Sequence, residues 1–406
     1  MEPRSIYTAP AAQAASAAPV KKHLQWLDMA KGLAILTVVL GHCMSDTTGL
    51  HDLVYSFHMP LFFMLAGYTM RPKPRKTVLA SSFKRLIVPY MAVCCILLLF
   101  AIVPPNSIDP NLDSQRSLPV VAVEALYASG QEGALAGHTF QAIGAIWFLP
   151  CLFWGRLILN EVLLRTQRLA GVKRLAQPAA VLAITALGFV IGNEQRLPLD
   201  IDTALTAVFF MYAGYLAKCF DISKAPDWVW LALVGIWMLY SIAGSNEMAV
   251  RAYLEHPYSM LTATAGSLVM IKLSMEVEKL GHAVGSSKVA PRVSKSIALA
   301  SRAFAWMGVQ SLIILCVHRI ESAVFNWQKI METFVPSVWD WPVAYQGLYM
   351  FALRFALVLV ISVVLVACVK ALRGAWDGGN LASSKLKRRL QSAAVSQKPR
   401  RLANGR

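Results

Sequence analysis

Apolar runs long enough to cross a bilayer recur along most of this chain, and that recurrence leaves few folds open to it. A hydrocarbon core about 30 Å thick takes ~20 predominantly apolar residues in helical form. Inside lipid every backbone polar group must be satisfied within the segment, which favours helices. With 56% hydrophobic and 15% charged residues among 406, the chain reads as an all-α, polytopic integral membrane bundle of about ten transmembrane helices. The spans fall near 25–45, 52–70, 83–103, 140–163, 177–192, 201–218, 227–244, 257–275, 303–324 and 343–370.

Orientation follows from the 39 Lys and Arg, because cytoplasmic loops are enriched in them. Placing the N-terminus inside gathers the great majority on one side. The other side keeps Arg116, Arg196, Arg251 and Lys329. Both termini are therefore expected in the cytoplasm, and the chain in a bacterial inner membrane. The formal charge of +17 is then an orientation signal and an attraction to anionic inner-leaflet lipids, not a nucleic-acid footprint. Residues 1–23 read as a disordered leader, 24–370 as the transmembrane domain and 371–406 as a basic cytoplasmic tail. The seven cysteines lie in or beside spans without metal-ligand spacing, so neither a disulfide framework nor a metal is expected.

Ionisable groups inside spans are functional candidates by default, because leaving them in hydrocarbon costs several kcal/mol. Lys31 and His42 share the first span. Eleven residues make three helical turns plus about 20°, so the two lie on one face roughly 16 Å apart. The second span carries His58, Pro60 and Gly67; proline permits a kink, and glycine lets another helix approach closely. His42, His58 and His318 fall at similar depth, while Lys31, Lys84 and Arg85 sit at the other end. Histidine is suited to proton transfer near neutral pH, and Lys and Arg to phosphate binding. A cofactor with an anionic head and a long arm fits such a geometry. Coenzyme A has that shape, although charge and depth do not single it out.

Other charged residues have plainer readings. Arg354, near the middle of the last span, is read as functional or internally paired, Asp28 as neutralising Lys31 across i, i+3, and Arg156 and Glu161 as pairing with each other. Trp147 reads as an interfacial anchor ahead of a sugar-stacking ring. The longest loops, 104–139 outside and 276–302 inside, are where an acceptor could be steered or where the chain is merely tethered. No internal repeat is visible, which counts against a permease for anions or glycans.

The run from Lys31 to Val38-Val39-Leu40-Gly41-His42, followed by Phe57-His58-Met59-Pro60-Leu61-Phe62-Phe63-Met64-Leu65-Ala66-Gly67-Tyr68, resembles the membrane acyltransferase-3 family, and within it the fucose 4-O-acetylase-like branch. Lys84-Arg85-Leu86-Ile87-Val88-Pro89-Tyr90, Ala145-Ile146-Trp147-Phe148-Leu149-Pro150, Phe209-Phe210-Met211-Tyr212-Ala213-Gly214-Tyr215 and Gly308 to His318 agree with it. The resemblance implies transfer of an acyl group, usually acetyl from acetyl-CoA, to a carbohydrate hydroxyl of a surface or secreted glycan, with fucose of nodulation lipochito-oligosaccharides among the acceptors. It makes His42 the catalytic base or acyl acceptor; on the reading adopted from charge and depth, His58 or His318 orients His42, and acyl-CoA docks on Lys31, Lys84, Arg85 and Arg354. Succinyl-CoA is the alternative donor. Lys31 stands where arginine is frequent, keeping the charge without the bidentate fork, and Ala66 stands where serine is frequent.

Overall fold

The computed structural model describes residues 24–102, 118–135, 138–167, 169, 173–244, 246–285 and 291–396. Helix α1 (Gln25–Gly41) is followed by α2 (Gly49–Tyr55), α3 (His58–Tyr68), α4 (Arg75–Ser82), α5 (Val88–Ile102), α6 (Leu118–Tyr127), α7 (Phe148–Thr166), α8 (Lys173–Glu194) and α9 (Ile201–Cys219). Then come α10 (Asp227–Met238), α11 (Tyr240–Ala243), α12 (Ser259–Gly285), α13 (Pro291–Val309), α14 (Ser311–Val324), α15 (Trp327–Phe334) and α16 (Val343–Ser396). One small antiparallel hairpin, β1 (Gly133–Leu135) with β2 (His138–Phe140), interrupts an otherwise helical chain.

Two crossings place these helices. A Cβ on Gly32 of α1 would lie 2.0 Å from the Phe304 carbonyl oxygen of α13, and one on Gly308 of α13 would lie 1.7 Å from the Asp28 carbonyl oxygen of α1. Each glycine therefore seats the other helix's backbone. Helices α3 and α9 repeat the device: Gly67 faces the Met211 carbonyl oxygen at 1.8 Å, and Gly214 faces that of Met64 at 1.9 Å, measured from the same notional Cβ. Small residues are what allow helices to approach this closely in a membrane, where no hydrophobic force drives one helix onto another. Ala30 and Ala34, both fully buried, extend the thin face of α1.

Among the described residues, six helices are long and apolar enough to cross a membrane, at 75–100, 145–166, 175–194, 198–219, 259–281 and 343–373. The pair α13 and α14, bent by 73° where they meet at Gln310, counts as a seventh when taken as one broken span. The ten hydrophobic segments thus overcount full-length helices. The first folds as 17 helical residues, the second is broken at Ser56-Phe57 with only 11 residues in α3, and the seventh keeps 12 in α10. Pro60 is the third residue of α3, inside the first turn, where its missing N–H loses no helical bond. It starts a helix instead of kinking one.

The His42 end is capped by the connecting segments. Arg251 bridges Asp200 at 2.8 Å and Asp202 at 2.7 Å, with all three side chains buried, and Arg196 donates to Gln131 at 2.7 Å. Leu199, Asp200 and Arg251 take left-handed φ values of 56°, 54° and 61°. Such backbone costs of order 1–3 kcal/mol per residue and persists where its surroundings over-determine it; here the ion cluster does so. Much of the long outer loop joins this cap, while residues 103–117 lie outside the described residues.

Adding one methyl group at a crossing should separate the helices. Gly32→Ala and Gly308→Ala are each expected to lower thermal stability of the detergent-purified chain by about 1–3 kcal/mol or more. Gly235→Ala on α10, where a Cβ meets nothing within 4 Å, is the control expected to leave it unchanged or raised.

Candidate active site

Lys31, Ile35, Val38 and His42 follow helical spacing along one face of α1, and all four line internal space. A cavity of about 460 Å³ opens at the Lys31 end, with Lys84, Arg85 and Arg156 on its walls. A smaller one of about 120 Å³ lies at the other end, walled by His42, Tyr55, His58, Trp147 and Glu247. Val38 and Met59 border both. These two side chains thus stand between a cationic chamber and a histidine chamber.

Local structure explains the cationic walls. Between α4 and α5 the chain makes a π-helical turn, Phe83–Ile87, a distortion that recurs at functional sites because it re-aims side chains. Lys84, Arg85 and Leu86 all border the chamber. Arg156 of α7 donates through Nε to the Ser82 hydroxyl at 3.2 Å. The expected Arg156–Glu161 pair does not form: Glu161 is taken by Arg75 and Arg165, both at 2.5 Å. Lys31 does pair with Asp28, at 3.0 Å.

The histidine chamber is built from helix ends. His42 caps α1; the fold encloses it, yet its side chain stays accessible because its open surface faces the chamber. His58 begins α3, and its Nδ1–H donates to the Val54 carbonyl at 2.9 Å, which leaves Nε2 as an acceptor. Tyr55 stands edge-on between them, its ring centroid 6.4 Å from that of His42 and 4.7 Å from that of His58. His318, on α14 beyond the bend, brings its ring to 5.4 Å from His42. The three sequence-predicted histidines thus converge.

Arg354 does not join Lys31, Lys84 and Arg85. It sits behind His318, where its Nε and a terminal nitrogen donate to the two oxygens of Glu321 at 2.9 and 3.2 Å. Glu321 lies one helical turn after His318, with Oε2 3.3 Å from His318 Nδ1, an ion-pair contact short of a well-aligned hydrogen bond. Trp327 donates its indole N–H to the same carboxylate. Arg354 is therefore a buried structural partner of the histidine cluster and no part of the cationic chamber.

Sequence reasoning missed Tyr55, Glu321, Trp327 and Glu247. The three-residue spacing of His318 and Glu321 on one helix was an available signal for Glu321; nothing local marks Glu247, which arrives from the connection before α12. Burial, foremost, pushes the Glu247 carboxyl up from its ordinary value, with Asp46 and Asp52 adding to the shift and His51 opposing it. Trp147 is buried beside Glu247 in the chamber wall and does not anchor the interface. Among the described residues no cluster of three or more His, Cys, Asp or Glu is placed to hold a metal.

A histidine beside a second histidine, itself backed by a carboxylate and set next to a cationic chamber, has the parts of a group-transfer site. The family model for the acyltransferase domain matches residues 24–370. The chain belongs to the membrane acyltransferase-3 family. As a multi-pass membrane acyltransferase it places the matched region over both chambers. No curated protein and no solved structure matches the chain.

Truncating one partner of the Glu321–Arg354 pair leaves a buried charge alone, which costs about 3–5 kcal/mol. Arg354→Met should therefore unfold at markedly lower temperature than the native chain, and the double variant Glu321→Gln/Arg354→Met should recover part of the loss, as measured by thermal unfolding of the two proteins in detergent.

Proposed function

We propose that this acyltransferase is an O-acetyltransferase that moves acetyl from acetyl-CoA to a sugar hydroxyl of a surface or secreted glycan. The observation that carries the reading is the pair of adjoining chambers, one cationic and one holding histidine, with α1 running through both. Anionic groups of the donor dock on Lys84, Arg85 and Arg156, with Lys31 further along the same wall. Guanidinium and ammonium groups suit phosphates. The donor's thioester arm passes Val38 and Met59 and presents its carbonyl carbon to the histidine chamber.

The acceptor enters that chamber from the capped end. His42 takes the proton of its hydroxyl, the oxygen bonds to the acetyl carbon, the C–S bond breaks, and coenzyme A leaves as the thiol once it has collected a proton. His318 orients His42, and the Glu321 carboxylate holds His318 in turn, the relay logic of a base backed by a third group. Trp147 offers a flat apolar face of the kind that sugar rings stack on, and Glu247 a hydrogen-bonding carboxyl. The Lys and Arg distribution supports a cytoplasmic donor chamber and an opposite acceptor side, in a bacterial inner membrane. Fucose, as in nodulation lipochito-oligosaccharides, is the acceptor suggested by the motif resemblance.

Membranes containing the native chain, given labelled acetyl-CoA, should put alkali-labile acetyl on the glycan fraction. His42→Ala at matched membrane level should lose at least a hundredfold, the scale of general-base catalysis. Lys84→Gln with Arg85→Gln should instead raise the KM for acetyl-CoA severalfold with a smaller effect on kcat. Equal labelling by native and His42→Ala membranes would exclude His42 as the base, and a succinylated product, read by mass, would replace the donor.

A further inference from the structure

A groove larger than either chamber plays no part in the chemistry above. It lies between α4, α7 and α8, encloses about 650 Å³, within the ~300–1,000 Å³ range of ligand pockets, and is walled by Leu79, Leu157, Ile158, Ala180 and Ile184. Helix α8 beside it turns apolar side chains such as Leu182, Leu187 and Val190 outward, as a lipid-facing helix does. One end of the groove is charged. Arg75 donates through Nε and a terminal nitrogen to Glu161 at 2.6 and 2.5 Å, Arg165 donates to the same carboxylate at 2.5 Å, and Lys76 lines the groove beside them.

Three cations against one carboxylate leave a net positive rim. Each guanidinium has five N–H donors; the carboxylate occupies two of Arg75 and one of Arg165. Both arginine side chains are largely exposed, at 69% and 74%. Asn160, also in the groove, exchanges two hydrogen bonds of 3.0 Å with the backbone of Lys73, which ties the rim to α7. Deeper, Trp154 lines the wall.

We infer that this groove is a binding site for one anionic glycerophospholipid, with the phosphate on Arg75 and Arg165 and an acyl chain against Leu157, Ile158 and Ile184. Charge complementarity selects the occupant. The rim shares its end of the bundle with Arg71, Lys73, Lys84 and Arg85, a concentration of basic residues characteristic of the cytoplasmic face, where anionic lipids are abundant. Neither His42 nor the donor chamber is involved, so the site stands or falls apart from the acyl transfer.

The full chain, purified in detergent, is offered phosphatidylglycerol and phosphatidylcholine of identical acyl chains in equal amount, and bound lipid is counted by native mass spectrometry. Each basic side chain near a charged surface contributes about fivefold, so the native chain should prefer phosphatidylglycerol by about 25-fold and Arg75→Gln/Arg165→Gln should abolish the preference. Glu161→Gln releases both arginines and should tighten phosphatidylglycerol severalfold, a direction opposite to that of a merely structural ion cluster. Equal binding of the two lipids by the native chain, a preference that survives the double variant, or weaker binding by Glu161→Gln would each overturn the site.

Discussion

Backbone contact between α1 and α13 is the constraint on which the rest depends. Gly32 and Gly308 remove the side chains that would hold the two helices apart, so the carbonyl of each helix rests on the glycine of the other. Closeness at that level fixes the path of the chain leaving α13. The bend at Gln310 then swings α14 across the end of α1, and His318 arrives beside His42. The second reciprocal crossing, α3 on α9, holds His58 and Met59 where they border the same chamber.

Electrostatics is divided along the bundle by solvent access. Near the histidines most charges are buried and paired: Glu321 is held by Arg354 and Trp327, and Arg251 by Asp200 and Asp202. Buried pairs of this kind contribute little net stability, because desolvation offsets attraction; their value here is positional. Around the cationic chamber and the groove, by contrast, the basic side chains are accessible, with donors left for an anionic ligand. One end of the molecule pairs most of its charges inside the fold, and the other leaves basic side chains accessible.

Much of the site was legible because lipid makes polar residues expensive. His42, His58, His318, Lys31, Lys84 and Arg85 stood out as polar groups in apolar runs, and the structure gathers them into two adjoining groups. Arg354 stood out for the same reason, and pairing inside the bundle was one of its two readings; its partner, Glu321, went unnoticed although it sits one turn from His318. Glu247 was invisible in principle: an acidic residue in a polar connection carries no local mark. Trp147 was read as an anchor because composition places tryptophan at interfaces, whereas the connecting segments cover it. The count of full-length helices fell short of the hydropathy pattern because a broken segment such as 49–68 is as apolar as a continuous one.

The amino-acid sequence by itself determined the helical membrane class, the stretch of chain that belongs to the family, and which polar residues must be enclosed, since each follows from the cost of exposing backbone or charge to hydrocarbon. Tertiary structure alone decided that the cationic and histidine groups occupy separate chambers meeting at Val38 and Met59, that Arg354 backs Glu321, and that Glu161 holds Arg75 and Arg165 in place of Arg156. Those outcomes depend on where helices cross and bend, and in a membrane the crossing is set by close packing of small residues, a property of two surfaces together that neither segment carries alone.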